Sequence, residues 1–192
     1  MNFDPNQVYH PAEDTFLLRD AALAEVQPTD VVIEIGTGSG AVAAAVQEVA
    51  EKTVAVDINP HAVAFAQEMN HVNAVRSDLF SAIQGEFDLI LFNAPYLPTA
   101  KEERVDDWLE YALDGGEDGC DVIRRFLPQA VSRMKPFGRI LLLISSLTGL
   151  DRVRTMARDV GCIALVVREE TEEDGEKLYV LRISRDICSM TA

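Results

Sequence analysis

Val31-Val32-Ile33-Glu34-Ile35-Gly36-Thr37-Gly38-Ser39-Gly40 is the stretch on which the fold turns. Its first five residues are apolar and β-branched around a single carboxylate, the text of a buried strand, and three alternate glycines then end it abruptly. A helix, Ala41 to Val49, and a second strand, Thr53-Val54-Ala55-Val56-Asp57, follow. Strand, glycine turn, helix and strand in that order make half of a nucleoside-binding α/β unit. The glycines let a ligand approach the backbone, and free N–H groups at the helix start face it.

Asp57 lies about 20 residues past the first glycine, where an acidic side chain accepts both hydroxyls of a ribose. The spacing is G-x-G-x-G, not the dinucleotide G-x-G-x-x-G, and Glu34 at the strand end would repel a pyrophosphate. Glu34 suits an ammonium or sulfonium group instead, so the pattern points to S-adenosylmethionine over NAD.

Working downstream, Asn59-Pro60 opens a helix expected to bury Ala62, Val63, Ala66 and Met69. A third strand, Ala74 to Ser77, ends in Asp78-Leu79, where the carboxylate can accept from an adenine amino group with Leu79 against the ring. The fourth strand, Asp88 to Phe92, runs straight into Asn93-Ala94-Pro95-Tyr96. In open α/β sheets ligands bind beyond the carboxyl ends of such strands.

A planar amide or amine nitrogen is a poor nucleophile because its lone pair is delocalised. Two acceptors in the plane of its N–H bonds, the Asn93 side-chain oxygen and the Ala94 carbonyl, would return electron density to nitrogen, and the Tyr96 ring can stack on the flat group. Pro95 stiffens the turn and holds Ala94 extended. Taken alone, the tetrad reads more readily as a strand-to-loop turn with a buried tyrosine.

After Tyr96 comes a long acidic connection, Pro98 to Asp118, containing Glu102, Glu103, Asp106, Asp107, Trp108 and Tyr111; its Gly115-Gly116 and Gly119 would let the chain turn close to the site. A helix from Cys120 to Met134, kinked at Pro128, a strand from Arg139 to Ile144, a helix from Leu150 to Val160 and a strand from Ile163 to Arg168 continue the alternation. Glu169 to Glu176 is a charged turn with the hairpin signal Asp174-Gly175, after which Leu178 to Ile183 returns antiparallel. The result is a seven-stranded, mostly parallel sheet ending in a C-terminal antiparallel hairpin. Upstream, Met1 to His10 is a loose lead-in. A helix starts at Pro11, with Glu13 and Asp14 at its positive end and Phe16, Leu17, Ala21 and Leu23 as its apolar stripe.

The 192 residues make one domain, with residues 1–30 as lead-in and helix and residues 31–192 as the core. No apolar run approaches a membrane span, and Met1-Asn2-Phe3-Asp4-Pro5 lacks the features of a signal peptide, so a cytoplasmic protein is expected. Cys120, Cys162 and Cys188, and His10, His61 and His71, have no metal-ligand spacing, and no bound metal is expected. The net charge of −15 would repel a nucleic-acid backbone unless arginines gathered on one face. Scarce lysine beside so many carboxylates suggests a salt-loving source.

The chain resembles a class I S-adenosylmethionine-dependent methyltransferase of the HemK type, the glutamine methyltransferases of translation release factors, and most closely their short archaeal and eukaryotic branch. The resemblance rests on Val8-Tyr9-His10-Pro11-Ala12-Glu13-Asp14-Thr15-Phe16-Leu17-Leu18, Glu34 to Gly40, Asp57-Ile58-Asn59-Pro60, Asn93 to Tyr96 and Gly115-Gly116, and spans nearly the whole chain. It implies a single Rossmann-like domain. It also implies that Thr15, Glu34, Gly36, Gly38, Asp57, Ile58, Asp78, Leu79 and Asn93 contact S-adenosylmethionine. Asn93, Ala94, Pro95 and Tyr96 would hold the glutamine amide of a Gly-Gly-Gln loop, with Asn93, Pro95 and Tyr96 as the catalytic set.

Ala94 stands where the family usually has a first proline, which softens the turn but keeps the carbonyl. The helical amino-terminal domain with which bacterial relatives grip the release factor is not seen. In the short branch a small zinc-binding activator pairs with the enzyme, implying a heterodimer in which the zinc belongs to the partner. Two other readings stay open: methylation of an exocyclic amine on DNA or RNA, and a catalytically silent subunit that only binds the cofactor.

Overall fold

A computed structural model describes residues 3–98 and 107–185. Its sheet contains β1 (Val31–Ile35), β2 (Lys52–Asp57), β3 (Ala74–Arg76), β4 (Phe87–Asn93), β5 (Met134–Ser145), β6 (Ile163–Thr171) and β7 (Lys177–Ser184). They lie in the order β3-β2-β1-β4-β5-β7-β6. Strand β7 runs antiparallel to both of its neighbours, and the other pairings are parallel. This is the Rossmann-like architecture with a terminal hairpin that the alternation predicts. The strand order reverses between β1 and β4, the place where open α/β sheets bind ligands.

Central strands read as unbroken apolar runs because both faces are covered. Ile33, Ile35, Ile90, Phe92, Ile140 and Leu142 pack on one side against Ile123 and Phe126 of α5 (Asp121–Arg133) and Val153 and Ala157 of α6 (Leu150–Asp159). Val32, Leu89, Leu91, Leu141 and Leu143 point the other way, against Leu18, Ala21 and Ala22 of α1 (Glu13–Glu25) and Val42 and Val46 of α2 (Ala41–Val46). A smaller alanine-rich cluster seats α3 (Pro60–Asn70) beside β2 and β3. No helix among the described residues is long and apolar enough to cross a membrane.

Several local expectations are corrected. The buried stripe of α1 is Leu18, Ala21 and Ala22, while Phe16 and Leu23 are exposed. Ala21 and Ala22 let α1 lie close to the sheet and α2, with Leu18 filling the space between them. Met69 is likewise exposed on α3. Helix α2 stops at Val46, and α5 ends at Arg133 because Met134 already pairs with Phe87 in β5. Pro128 sits inside α5, which runs on to Arg133.

Strand β6 continues to Thr171, leaving a turn of Glu172 to Glu176. At a sheet edge the ladder to β7 holds the backbone while Arg168, Glu169 and Glu170 stay solvated. The lead-in is not loose over its described residues. It forms a 3-10 turn at Pro5–Gln7, buries Val8, sets the Phe3 ring 5.2 Å from that of Phe65, and receives the Asn59 side-chain N–H at the Gln7 carbonyl, 2.6 Å away. Glu102, Glu103 and Asp106 of the acidic connection, and Cys188, lie outside the described residues. Cys120 and Cys162 are free and buried.

Candidate active site

Register brings the functional tips level. Ile35 stands beside Val56 on one side and Phe92 on the other, so Gly36, Asp57 and Asn93 leave the sheet together at its carboxyl edge. All twelve residues assigned to the site from the sequence line one cavity there: Thr15, Glu34, Gly36, Gly38, Asp57 and Ile58, with Asp78, Leu79, Asn93, Ala94, Pro95 and Tyr96.

The glycine turn is built for close approach. Gly40 has φ +83°, and a Cβ there would lie 2.8 Å from that of Ala66, so only glycine lets α2 start against α3. The turn is pinned from beneath by Glu34, whose Oε2 accepts from Thr37 Oγ1 at 2.6 Å and from the Ala43 N–H at 2.9 Å. Burial pushes the Glu34 pKa up to about 8, against the lowering effect of those two bonds. Its bonds to Thr37 and Ala43 hold the loop.

Asp57 accepts the Gly38 N–H at Oδ2 and the Asn59 N–H at Oδ1, each at 2.9 Å, which fixes the carboxylate plane while each oxygen keeps a lone pair for a ribose hydroxyl. Burial pushes its pKa above the usual carboxylate range. Asp78 meets the Arg125 guanidinium at 2.5 Å. Leu79 beside it has φ +49°, a strained conformation for a branched side chain, and the Ser77 hydroxyl donates to its carbonyl at 2.8 Å. The donor set fits an adenosyl ligand: a paired acceptor for a diol, a second carboxylate beyond it, and Ile58 and Leu79 as apolar flanks.

Asn93 closes β4, and its side-chain Nδ2 donates to Asp14 Oδ2 at 2.8 Å. The same oxygen accepts from the Tyr9 hydroxyl at 2.9 Å, and Asp14 Oδ1 accepts from the Thr15 N–H at 2.5 Å and from Thr15 Oγ1 at 3.1 Å. Burial raises the Tyr96 phenol above its ordinary pKa, and the charges of Asp14, Glu176 and Glu172 add to the effect. The chain behind Pro95 and Tyr96 has no room for side chains. A Cβ on Gly115 would sit 2.8 Å from the Pro95 carbonyl oxygen, and one on Gly119 only 2.5 Å from that of Tyr96. Gly115 and Gly119 thus lie directly against the tetrad, while a Cβ on Gly116 would meet the Asp121 side chain.

Tyr9, Asp14, Trp108, Tyr111, Val122 and Arg125 also line the cavity, and sequence reasoning misses all six as site residues. For Asp14 a simpler role, at a helix start, accounts for its place in the sequence. Trp108 and Tyr111, on the short helix α4 (Trp108–Tyr111), have ring centroids 5.5 Å apart, and the Trp108 backbone N–H donates to Gln7 Oε1 at 3.2 Å. Two aromatic residues in a connection leaving the site are the available signal.

Residues 15–109 match the family model of the methyltransferase small domain. Over 149 residues the chain is 46% identical to a protein assigned as an N5-glutamine methyltransferase in Methanocaldococcus jannaschii, covering 74% of this chain and 75% of that protein. It is 31% identical to the human methyltransferase HEMK2 over 194 residues, 87% of this chain and 91% of the human one. Among solved structures it superposes with a TM-score of 0.79 on a chain of the E. cuniculi Mtq2–Trm112 complex, responsible for methylation of the eRF1 translation termination factor. That match has 26% identity and covers 94% of this chain and 99% of the other.

Proposed function

The chain belongs to the HemK-type, S-adenosylmethionine-dependent protein glutamine methyltransferases, and from that premise we propose that it methylates the side-chain amide nitrogen of the glutamine in the Gly-Gly-Gln loop of a translation release factor. The observation that carries this reading is the placement of Asn93 at the tip of β4, facing the cavity that Asp57 and the glycine turn share. Bound S-adenosylmethionine supplies an electrophilic methyl group on a sulfonium.

The chain's own residues do the rest. Asp57 takes the ribose hydroxyls, Asp78 and Leu79 flank the adenine, Ile58 and the Gly36–Gly38 turn close on the nucleoside, and Thr15 and Glu34 bound the methionine end. Asn93 Oδ1 and the Ala94 carbonyl accept the two hydrogens of the glutamine amide, Pro95 holds that carbonyl in place, and Tyr96 flanks the flat group. With its lone pair turned out of the amide plane the nitrogen becomes nucleophilic, and after methylation it releases one proton to water. No strong base is needed.

The enzyme works in the cytoplasm as a heterodimer with a small zinc-binding activator, by analogy with the E. cuniculi complex, in which Mtq2 is paired with Trm112. The test is incubation of the release factor with S-adenosylmethionine and the enzyme, alone and with such an activator, followed by peptide mass spectrometry. A gain of one methyl group on the loop glutamine is expected. Methylation of oligonucleotides with an unmodified glutamine would overturn the reading.

A further inference from the structure

We propose that Asp14 is the positioning residue that decides which way round the Asn93 amide faces, so that Asn93 offers an oxygen and not an NH2 group to the substrate. The inference rests on the assignment of Asn93 as acceptor for the glutamine amide and adds the element that makes it one. Asp14 is 4% exposed and receives hydrogen bonds at both oxygens.

A side-chain amide has one donor end and one acceptor end, and rotation by half a turn exchanges them at little intrinsic cost. A carboxylate only accepts. Asp14 Oδ2, 2.8 Å from Asn93 Nδ2, therefore fixes the NH2 group on its own side and leaves Asn93 Oδ1 for the cavity. Rotated the other way, Asn93 would set one NH2 group against another, and the acceptor that draws density onto the substrate nitrogen would be lost.

The contacts on the far side of Asp14 make this testable by exchange. In Asp14→Asn, one end of the new amide becomes a donor, and the Thr15 N–H, 2.5 Å from Oδ1, requires an acceptor in its place. The new NH2 group must then face Asn93 and Tyr9. The Tyr9 hydroxyl can rotate to accept from it, but Asn93 has to turn its oxygen away from the cavity to do so. Asn93→Asp fails for a different reason, because two carboxylates then oppose each other across the former 2.8 Å contact. Combining the two changes restores complementarity: the amide introduced at position 14 donates to one oxygen of the carboxylate introduced at position 93, and the other oxygen faces the substrate.

The experiment measures kcat, KM and S-adenosylhomocysteine affinity for wild type, D14N, N93D and D14N/N93D with the release factor and activator. Side-chain 15N–1H spectra of Asn93 are recorded in wild type and D14N. D14N should lose about 100-fold in kcat, the scale seen when one positioned hydrogen-bonding group is removed, with KM and cofactor affinity within about threefold. The double variant should recover at least about tenfold over N93D, and the Asn93 side-chain resonances should shift in D14N.

A D14N enzyme with kcat within about threefold of wild type, a double variant no better than N93D, or unmoved Asn93 resonances would each overturn the proposal. Failure of wild type to methylate the release factor would instead remove the substrate reading, while the spectra, which need no methyl acceptor, still decide the role of Asp14.

Discussion

Replacing Gly119 by alanine should damage catalysis far more than stability. A Cβ at this position would lie 2.5 Å from the Tyr96 carbonyl oxygen, against 3.4 Å for the near edge of ordinary contact, so one backbone or the other must yield by about 1 Å. The displaced segment is the tetrad itself, and a misplacement of that size in a positioning site costs on the order of 100-fold in rate. Gly119 also has φ +69°, which penalises alanine by about 1–2 kcal/mol whatever its surroundings, or a fall in melting temperature of about 2–8 °C for a domain of this size.

Gly161→Ala separates the two effects. Gly161 has φ +76° with nothing within 4 Å of its notional Cβ, so it carries the conformational penalty without the collision. Single-turnover methylation of the release factor, with melting followed by circular dichroism, should show both variants destabilised, Gly119→Ala the more so through its collision, and a large rate loss only in Gly119→Ala. Equal rates in both would refute the argument that this turn holds the tetrad in place.

Asn93→Ala should abolish methyl transfer while titration with S-adenosylhomocysteine still registers weakened binding; full activity would remove Asn93 from the mechanism. Glu34 gives a pH signature whose sign is fixed by its raised pKa. The folded state keeps a proton that the unfolded chain releases near pH 4.5, so stability falls as pH rises from there to about 8 and then levels. Glu34→Gln should flatten that decline in urea titrations spanning roughly pH 5 to 9, and an unchanged slope would assign it to other groups. The net charge of −15 predicts a melting temperature that rises as KCl is added, through screening of self-repulsion, and a flat response would count against that origin.

The architecture is legible because burial on both faces writes strands such as Leu89–Phe92 and Ile140–Ile144 as continuous apolar text, while loops between them begin with residues that only particular turns accept. The cofactor half is legible for the same reason: Gly36, Asp57, Asp78 and Asn93 each come at or just past the end of a strand, so the sheet alone fixes their places. What sequence order does not convey is contact across it. Asp14 and Asn93 are 79 positions apart, and Arg125 meets Asp78 across 47. Neither pair belongs to any periodicity. Nor does sequence order convey that Glu34 is buried and pins the glycine turn through Thr37 and Ala43, which is a property of the assembled fold.

The pocket is knitted from three distant stretches, with Tyr9 and Asp14 ahead of the sheet, Asn93 to Tyr96 at its centre, and Gly115 to Gly119 at the end of the acidic connection. The last of these is tied to the strand tip through the Gly115 N–H and the Leu97 carbonyl, outside the sheet ladder, so it can shift while the strands remain paired. Chemistry in this enzyme is therefore more fragile than its scaffold, and gentle warming should silence methyl transfer before it melts the sheet.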